Sequence, residues 1–401
     1  MKFNFSSQYF FLYLICFFLY GGYYAGLAFV IGFLGDGFTN IYSVPVRLVC
    51  SLIMLYFIIK NVNNKLNNHY YFFSVFAICF YIILTYVIDL FSQLSFLGKK
   101  VEYILYMIVY SLIPFIFFSF IDYKKIKDIL VNAIISSGVI LSFIVLYLYK
   151  DLILSGIGRI SMLKYEGQDS FLSPLSMSYA ASLTISMCFF KLIQINKFSN
   201  NLIYILFILI SFVPYNLGAS RGSVITLFLS LLLSIIFVAK KSIKIKILMI
   251  FPFILATLIF FSIKMGSAVF VRFMSIGDSY QNQDTSVTNR LGQWNQAFSY
   301  IQDHYILGGH FFVEGIYPHN IFLEVGMGQG LFILCLFLLC IFFCFKELLI
   351  IAKKETDAAP LIVFVHGVFM GMFSGSISSS ILLFSGMGLL VSINRCYKGK
   401  F

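Results

Sequence analysis

The chain has very little charge for its length. Only 11% of its 401 residues are charged, whereas 60% are hydrophobic, and soluble domains are about one quarter charged. A soluble fold of this size could not bury so much apolar surface, so the composition predicts a polytopic membrane protein. Tryptophan occurs once and histidine five times, which makes the positions of those few residues informative.

Motifs for nucleotide and metal chemistry are missing as well. The sequence has no phosphate-binding GxxxxGK[ST] loop, no DxD pair, no GxSxG elbow and no cluster with metal-ligand spacing. Its eight cysteines are scattered and form no CxxC pair, so neither a disulfide framework nor a zinc site is expected. We therefore expect no metal and no cofactor, and the energy for any reaction must come with the substrate.

Long apolar runs take the place of such motifs. A run of about twenty apolar residues can cross a bilayer, and we expect twelve spans, which define an all-α fold with a single transmembrane helical domain over residues 1–401. The spans cover approximately 9–34, 41–59, 70–91, 103–121, 129–149, 172–190, 201–217, 222–239, 247–263, 320–345, 361–376 and 378–393. The last two are rich in Gly and Ser, so a broken or re-entrant pair is an alternative there.

The net charge of +12 follows the expected membrane topology. With the N-terminus in the cytoplasm, inside segments carry about twice as many lysines and arginines as outside segments, in line with the positive-inside rule. Both termini are then cytoplasmic, and nucleic acid is not an expected partner. Two loops on the opposite side are long, residues 150–173 and residues 264–318, and the second connects spans nine and ten.

One segment of the longer loop has helical periodicity. Its apolar residues at that spacing are Leu291, Trp294, Ala297, Phe298 and Ile301. Apolar residues three and four positions apart share one face of a helix, so the spacing predicts a short amphipathic helix within the loop.

The arginines are distributed differently from the lysines. Those expected outside, or near the outer end of a span, are Arg47, Arg159, Arg221, Arg272 and Arg290. Lysine would satisfy the topology rule, whereas arginine adds a planar fork that binds carboxylate or phosphate through two hydrogen bonds. Arg221 begins a span in "NLGASRGSVI", where a helix N-terminus favours an anion; a tight turn with an arginine reaching the interface is the alternative.

A second polar group interrupts the apolar pattern in "YPHNIFLEVGMGQG", residues 317–330. Pro318, His319 and Asn320 are expected in the first turn of the tenth span, because proline suits that position. Glu324 would lie about one turn into the span, where charge is costly unless it faces a partner or a cavity. A polar cluster that only anchors the helix at the interface is the alternative.

These motifs together resemble the O-antigen ligase/polymerase family of bacterial inner membranes. The residues that carry the resemblance are Arg221 within Ser-Arg-Gly, Arg290, Trp294, Gly308 and Gly309, His319, Asn320, Leu323 and Gly330. The resemblance implies a glycosyltransferase that acts on the periplasmic face and takes its glycan from undecaprenyl pyrophosphate. An activated donor of that kind needs neither a nucleotide nor a metal.

The resemblance also implies roles for single residues. Catalytic roles are implied for His319, Glu324 and Arg290, with His319 orienting or deprotonating the acceptor hydroxyl. Substrate binding is expected of Arg221, Arg272, Arg159, Arg47, Asn320 and Trp294. The expected partners are an undecaprenyl-pyrophosphate-linked oligosaccharide and membrane lipid, and a chain-length regulator is a candidate protein partner.

Three activities remain as alternatives. The first is an O-antigen polymerase, which moves a growing glycan onto a new lipid-linked repeat unit. The second is a ligase of the same family, which moves the finished glycan onto a lipid A core. The third is a lipid-linked glycan flippase, which predicts paired halves, and no internal repeat is visible in the sequence. Whether Glu324 is a catalytic partner or a buried hydrogen-bond brace is also open.

Overall fold

The computed structural model describes residues 7–61, 70–91, 97–154, 173–194, 198–239, 260, 263 and 285–397. Over these ranges the regular structure is helical, apart from one isolated β-bridge between Val313 and Ile316. Nine helices among the described residues are long and apolar enough to cross a membrane, and two shorter apolar helices follow them. The predicted all-α, polytopic membrane fold is therefore confirmed.

The helices of the described residues are numbered here in chain order. The N-terminal part contains α1 (Ser7–Phe17), α2 (Tyr23–Leu34), α3 (Thr39–Asn61), α4 (Tyr70–Phe91), α5 (Leu97–Tyr106), α6 (Ile113–Phe120), α7 (Tyr123–Leu148) and α8 (Lys150–Leu154). The remainder contains α9 (Pro174–Gln194), α10 (Phe198–Gly218), α11 (Arg221–Val238), α12 (Thr285–Asp303), α13 (Ile321–Glu355), α14 (Ala359–Phe373) and α15 (Ile381–Tyr397). The π-helical turns Phe18–Gly22 and Met107–Leu112 join α1 to α2 and α5 to α6, so each pair forms one span.

Eleven of the twelve predicted spans coincide with apolar helices of the described residues. The predicted ninth span, 247–263, lies outside the described residues except for Phe260 and Ile263. The last two are separate helices, α14 with 15 residues and α15 with 17. Both are shorter than the usual span of about twenty residues, and the polar segment between them contains a 3-10 turn over Ile377–Ser379.

The chain divides into two compact units. The first comprises Met1–Ile53, Lys125–Asp278 and Ile351–Ile362, and the second comprises Met54–Lys124, Ser279–Ile350 and Val363–Phe401. Each unit has packed helices of its own, and the predicted site residues are divided between them.

Small and hydroxylated residues allow close helix packing in the first unit. Gly138 of α7 faces Thr184 of α9 so closely that a Cβ atom on Gly138 would overlap the threonine side chain. The hydroxyl of Thr184 donates to the Ala180 carbonyl one turn earlier, at 2.8 Å. Small residues let helices approach within a membrane, and hydroxyls satisfied by their own helix add no unpaired polar group.

Helix α12 packs against the first turns of α13 in the second unit. Ala297 and Ile301 of α12 are buried with Val313, Leu323 and Met327, and Trp294 packs against this cluster. The amphipathic spacing therefore corresponds to a helix whose Trp294–Ala297–Ile301 face is packed. The other two apolar residues of the pattern are not part of that face: Leu291 is 51% exposed and Phe298 is 53% exposed.

Helix α13 is broken at Gly330. This residue has φ 83° and ψ 171° within an otherwise helical run, and the Leu331 N–H donates to the Tyr305 carbonyl at 2.8 Å instead of to its own helix. The predicted tenth span, 320–345, lies within the apolar helix Ile321–Glu355, and at Gly330 a loop carbonyl replaces the helical hydrogen bond. Nearly all residues from Ile321 to the break are buried, whereas exposed large apolar residues begin at Leu331.

Candidate functional site

Asn320 caps the N-terminus of α13. Its Oδ1 accepts hydrogen bonds from the Phe322 N–H at 2.9 Å and the Leu323 N–H at 3.3 Å. The helix begins at Ile321, so Pro318 precedes it and the expectation of proline in the first turn is wrong by a few residues. Asparagine is a preferred N-cap because its side chain satisfies N–H groups that have no helical partner.

The residues before the cap are held against α12. The indole Nε1–H of Trp294 donates to the Pro318 carbonyl at 2.9 Å, and the ring of Tyr317 lies edge-on to that of His319, with centroids 4.5 Å apart. His319 itself has φ 55°, a left-handed conformation that histidine, asparagine and aspartate tolerate better than most residues. Trp294 therefore fixes the backbone that carries His319.

Arg290 and His319 meet at the C-terminal end of α14. Arg290 Nη1 donates to the Phe373 carbonyl at 2.7 Å, and His319 forms a hydrogen bond with the backbone of the next residue, Ser374. The last carbonyls of a helix carry partial negative charge and favour a cation. The guanidinium and the imidazole, which are 29 positions apart in the sequence, are thus neighbours in the structure.

The imidazole of His319 is held in its neutral form at neutral pH, as a general base must be. Burial lowers the pKa of His319 below its ordinary 6.5, the positive charge of Arg290 lowers it further, and the bond to Ser374 acts in the opposite direction. The Nδ1 atom is buried and makes no hydrogen bond within the described part of the chain. We expect the bond to Ser374 to use Nε2–H, since Nδ1 has no partner, and Nδ1 would then carry the lone pair in the neutral form.

Glu324 holds the segment between α14 and α15. Its side chain is buried, at 2% exposure, and both carboxylate oxygens are occupied. Oε1 accepts from the Ser376 hydroxyl at 2.7 Å and from the Tyr86 hydroxyl at 3.4 Å, and Oε2 accepts from the Ile377 N–H at 2.8 Å. The same segment is held from a second side, because the Ser111 hydroxyl donates to the Ile377 carbonyl at 2.9 Å.

We expect Glu324→Gln to keep most of the folded stability and activity, and Glu324→Ala to lose both. Glutamine can accept from the Ile377 N–H through its oxygen and donate to the Ser376 hydroxyl, which can rotate to accept. Alanine leaves a buried N–H without a partner, at a cost of about 1–3 kcal/mol. Thermal unfolding in detergent and the glycan product of a complemented deletion strain are the measurements.

The amide variant separates the two predicted roles of Glu324. Glu324→Gln can keep the hydrogen bonds to Ser376 and Ile377 that position the segment, but it has no carboxylate to take part in the reaction. A variant with unchanged thermal stability and no glycan product would assign the carboxylate to the reaction. Ser376→Ala is the matched control, since it removes one donor to Glu324 and leaves the carboxyl group in place.

Arg221 lies at the start of α11, in the first unit. The preceding Ala219 has φ 41°, and Ser220 is the N-cap without a side-chain capping bond. The turn is fastened to α9 through Ser223, whose hydroxyl lies 2.6 Å from the Ser178 hydroxyl. The tight turn expected for this motif is present, and a ligand for Arg221 stays a prediction.

Arg47 is part-buried in α3, also in the first unit. Its Nη2 donates to the Tyr23 hydroxyl at 2.5 Å, and its guanidinium carbon lies 4.9 Å from the centre of the Tyr23 ring. A tyrosine that offers both an oxygen and a ring face stabilises a cation within a span. Arg159 and Arg272 lie outside the described residues, so their predicted binding roles stay predictions.

The comparison with protein families points to the same stretch of chain. Residues 205–338 match the family model described as O-Antigen ligase. The matched range contains Arg221, Arg290, Trp294, His319 and Glu324. The match supports the O-antigen ligase/polymerase family and a polysaccharide polymerase- or ligase-type function for this membrane protein. A comparison with curated proteins gave no match.

The structure adds residues that the sequence did not single out. Tyr86 and Ser376 bind Glu324, and Phe373 and Ser374 offer their backbone to Arg290 and His319. Tyr86 had no signal in the sequence, and the only signal for Phe373, Ser374 and Ser376 is the Gly- and Ser-rich run "GMFSGSISSS", which indicated a break between the last two spans. Nothing in that run indicates that the break meets Glu324.

Proposed function

We propose that the protein is a glycan polymerase of the O-antigen type. It would transfer a growing glycan from undecaprenyl pyrophosphate to a lipid-linked repeat unit on the periplasmic face of the bacterial inner membrane. The observation that carries this proposal is the meeting of Arg290 and His319 at the end of α14. Both residues lie within the stretch that matches the O-Antigen ligase model.

The two side chains have complementary chemistry. In the proposed reaction, the neutral Nδ1 of His319 takes the proton of an acceptor sugar hydroxyl, whose oxygen attacks the anomeric carbon of the donor glycan. The bond between that carbon and the pyrophosphate oxygen breaks, and undecaprenyl pyrophosphate leaves with the electron pair. Arg290 stabilises the negative charge that develops on the leaving group, because a guanidinium matches phosphate geometry and its charge is permanent.

Other residues would position these two. Trp294 and Asn320 hold the backbone on either side of His319, and Glu324 fixes the segment that follows the α14 end. Further binding of anionic substrate groups is proposed for Arg47, Arg159, Arg221 and Arg272. Cytoplasmic termini, membrane lipid and a chain-length regulator are part of the same proposal, and they rest on the charge distribution and on the family resemblance.

A ligase is the second candidate, because the matching family is described as O-Antigen ligase. A ligase would use the same donor, the same base and the same cation, and would differ only in the acceptor. That acceptor would be a sugar of a lipid A core instead of a lipid-linked repeat unit.

Reconstitution with a defined substrate tests both candidates. Purified protein in proteoliposomes receives the lipid-linked repeat unit of the producing strain, alone or with a lipid A core. A ladder of longer lipid-linked glycans supports the polymerase, and transfer to the core alone supports the ligase. Translocation of the lipid-linked unit without any new glycosidic bond would overturn both in favour of a flippase. A deletion strain gives an independent answer, since loss of a polymerase leaves single repeat units on the core and loss of a ligase leaves a bare core.

A further inference from the structure

The turn that follows α12 exposes three large apolar side chains in succession. Tyr305 is 57% exposed, Ile306 is 62% exposed and Leu307 is 72% exposed. Contiguous exposed apolar residues usually mark a surface that meets a membrane or another protein. We name these three residues the apolar turn.

The apolar turn is fastened to α13 and does not extend freely from it. The Tyr305 carbonyl accepts from the Leu331 N–H at 2.8 Å, and the chain just after the turn continues the attachment. There the Gly309 N–H donates to the Gly328 carbonyl at 3.0 Å, and the His310 N–H donates to the Met327 carbonyl at 3.1 Å.

Two glycines allow this close approach. A Cβ atom on Gly308 would lie 2.5 Å from the Gly328 carbonyl carbon, and one on Gly330 would overlap the Ile306 carbonyl. The apolar turn is therefore fixed at one position along α13, beside the break at Gly330.

That position is also where the lipid-facing surface of α13 begins. Leu331 is 41% exposed and Phe332 is 69% exposed, and exposed apolar residues continue along the helix as far as Ile350. The roughly 20 residues from Leu331 to Ile350 extend about 30 Å along the helix, which matches a hydrocarbon core of about 30 Å. The membrane boundary is thus expected close to Leu331, beside Tyr305.

We propose that the apolar turn inserts into the lipid leaflet at which the Leu331–Glu355 helix begins. Its partner is the boundary between headgroups and acyl chains, where tyrosine is enriched and isoleucine and leucine can enter the apolar layer. The turn continues the lipid-facing surface of the span instead of forming a separate patch. Because it ends α12, it also sets the height of that helix, with Arg290 and Trp294, above the bilayer. This inference does not depend on the proposed function.

Tryptophan fluorescence tests the insertion directly, because the chain has only Trp294. The double variant Trp294→Phe/Ile306→Trp is placed in nanodiscs made with phosphatidylcholine brominated at different acyl positions. We expect a blue-shifted emission and a loss of intensity that is largest for bromines close to the headgroup. The wild-type protein is the control, since Trp294 packs against the α12–α13 cluster and is expected to be insensitive to the bromines.

Two outcomes would overturn the proposal. One is an emission of the double variant at the wavelength of water-exposed indole that no brominated lipid reduces. The other is quenching of the double variant that is no greater than that of the wild-type protein, which would place residue 306 no deeper in the lipid than the packed Trp294. If the double variant does not elute as a single species, the single substitution Ile306→Trp gives the same comparison after subtraction of the wild-type signal.

Discussion

Replacing Arg290 with glutamine is expected to lower the rate of glycan transfer by a factor of about 10²–10³, the usual effect of removing one group that stabilises transition-state charge. Glutamine removes the positive charge but keeps an N–H donor for the Phe373 carbonyl, which Arg290 now contacts at 2.7 Å. The structural contact can therefore survive while the contact with the leaving pyrophosphate is lost. Initial rates of glycan elongation in proteoliposomes are the measurement, together with the thermal unfolding midpoint.

Arg290→Lys is the matched control for this prediction. Lysine restores the charge without the planar fork, so its rate is expected between those of the wild type and the glutamine variant. If all three proteins have the same rate at saturating donor, Arg290 does not act on the reacting phosphate. If the rate falls only in step with thermal stability, Arg290 serves as a cap of α14 and nothing more.

Local patterns in the sequence were sufficient to predict most of the membrane-spanning helices and the part of the site formed by α12 and the start of α13. Apolar runs of about twenty residues identify spans because a bilayer requires that length, and the spacing of Trp294, Ala297 and Ile301 identifies the buried face of α12. Asn320 at the start of α13 also follows a local rule, since a cap and the N–H groups it satisfies are two and three residues apart.

The rest of the site depends on contacts between distant segments, which no local pattern encodes. Glu324 finds its partners at Tyr86, 238 positions away, and at Ser376, 52 positions away. Arg290 donates to the backbone carbonyl of Phe373. Because every residue has a backbone carbonyl, the sequence does not show which one Arg290 contacts. The break at Gly330 was not predicted, because the glycines and Gln329 of "GMGQG" precede the long apolar run without showing at which residue the helix breaks. It breaks because the Tyr305 carbonyl is close enough to take the N–H of Leu331.

Replacing His319 with asparagine is expected to lower glycan transfer by a factor of about 10²–10⁴, the range found for removal of a general base. Asparagine is the better choice than alanine because His319 has φ 55°, and asparagine tolerates that left-handed conformation with little strain. An unchanged unfolding midpoint with a large fall in rate assigns His319 to the reaction. A variant that keeps the wild-type rate would exclude it as the base.

The pH dependence of the rate gives a stricter test of the same residue. A base must be unprotonated, so the rate is expected to fall as the pH drops through the pKa of His319, which burial and Arg290 hold below 6.5. Because the charge of Arg290 lowers that pKa, Arg290→Gln is expected to move the acid limb of the profile to higher pH, whereas Arg290→Lys leaves it near the wild-type position. Rates normalised to their own maxima make the three profiles comparable in spite of different turnover. An acid limb at the same pH in all three proteins would mean that another group titrates, and would remove His319 from the proposed role.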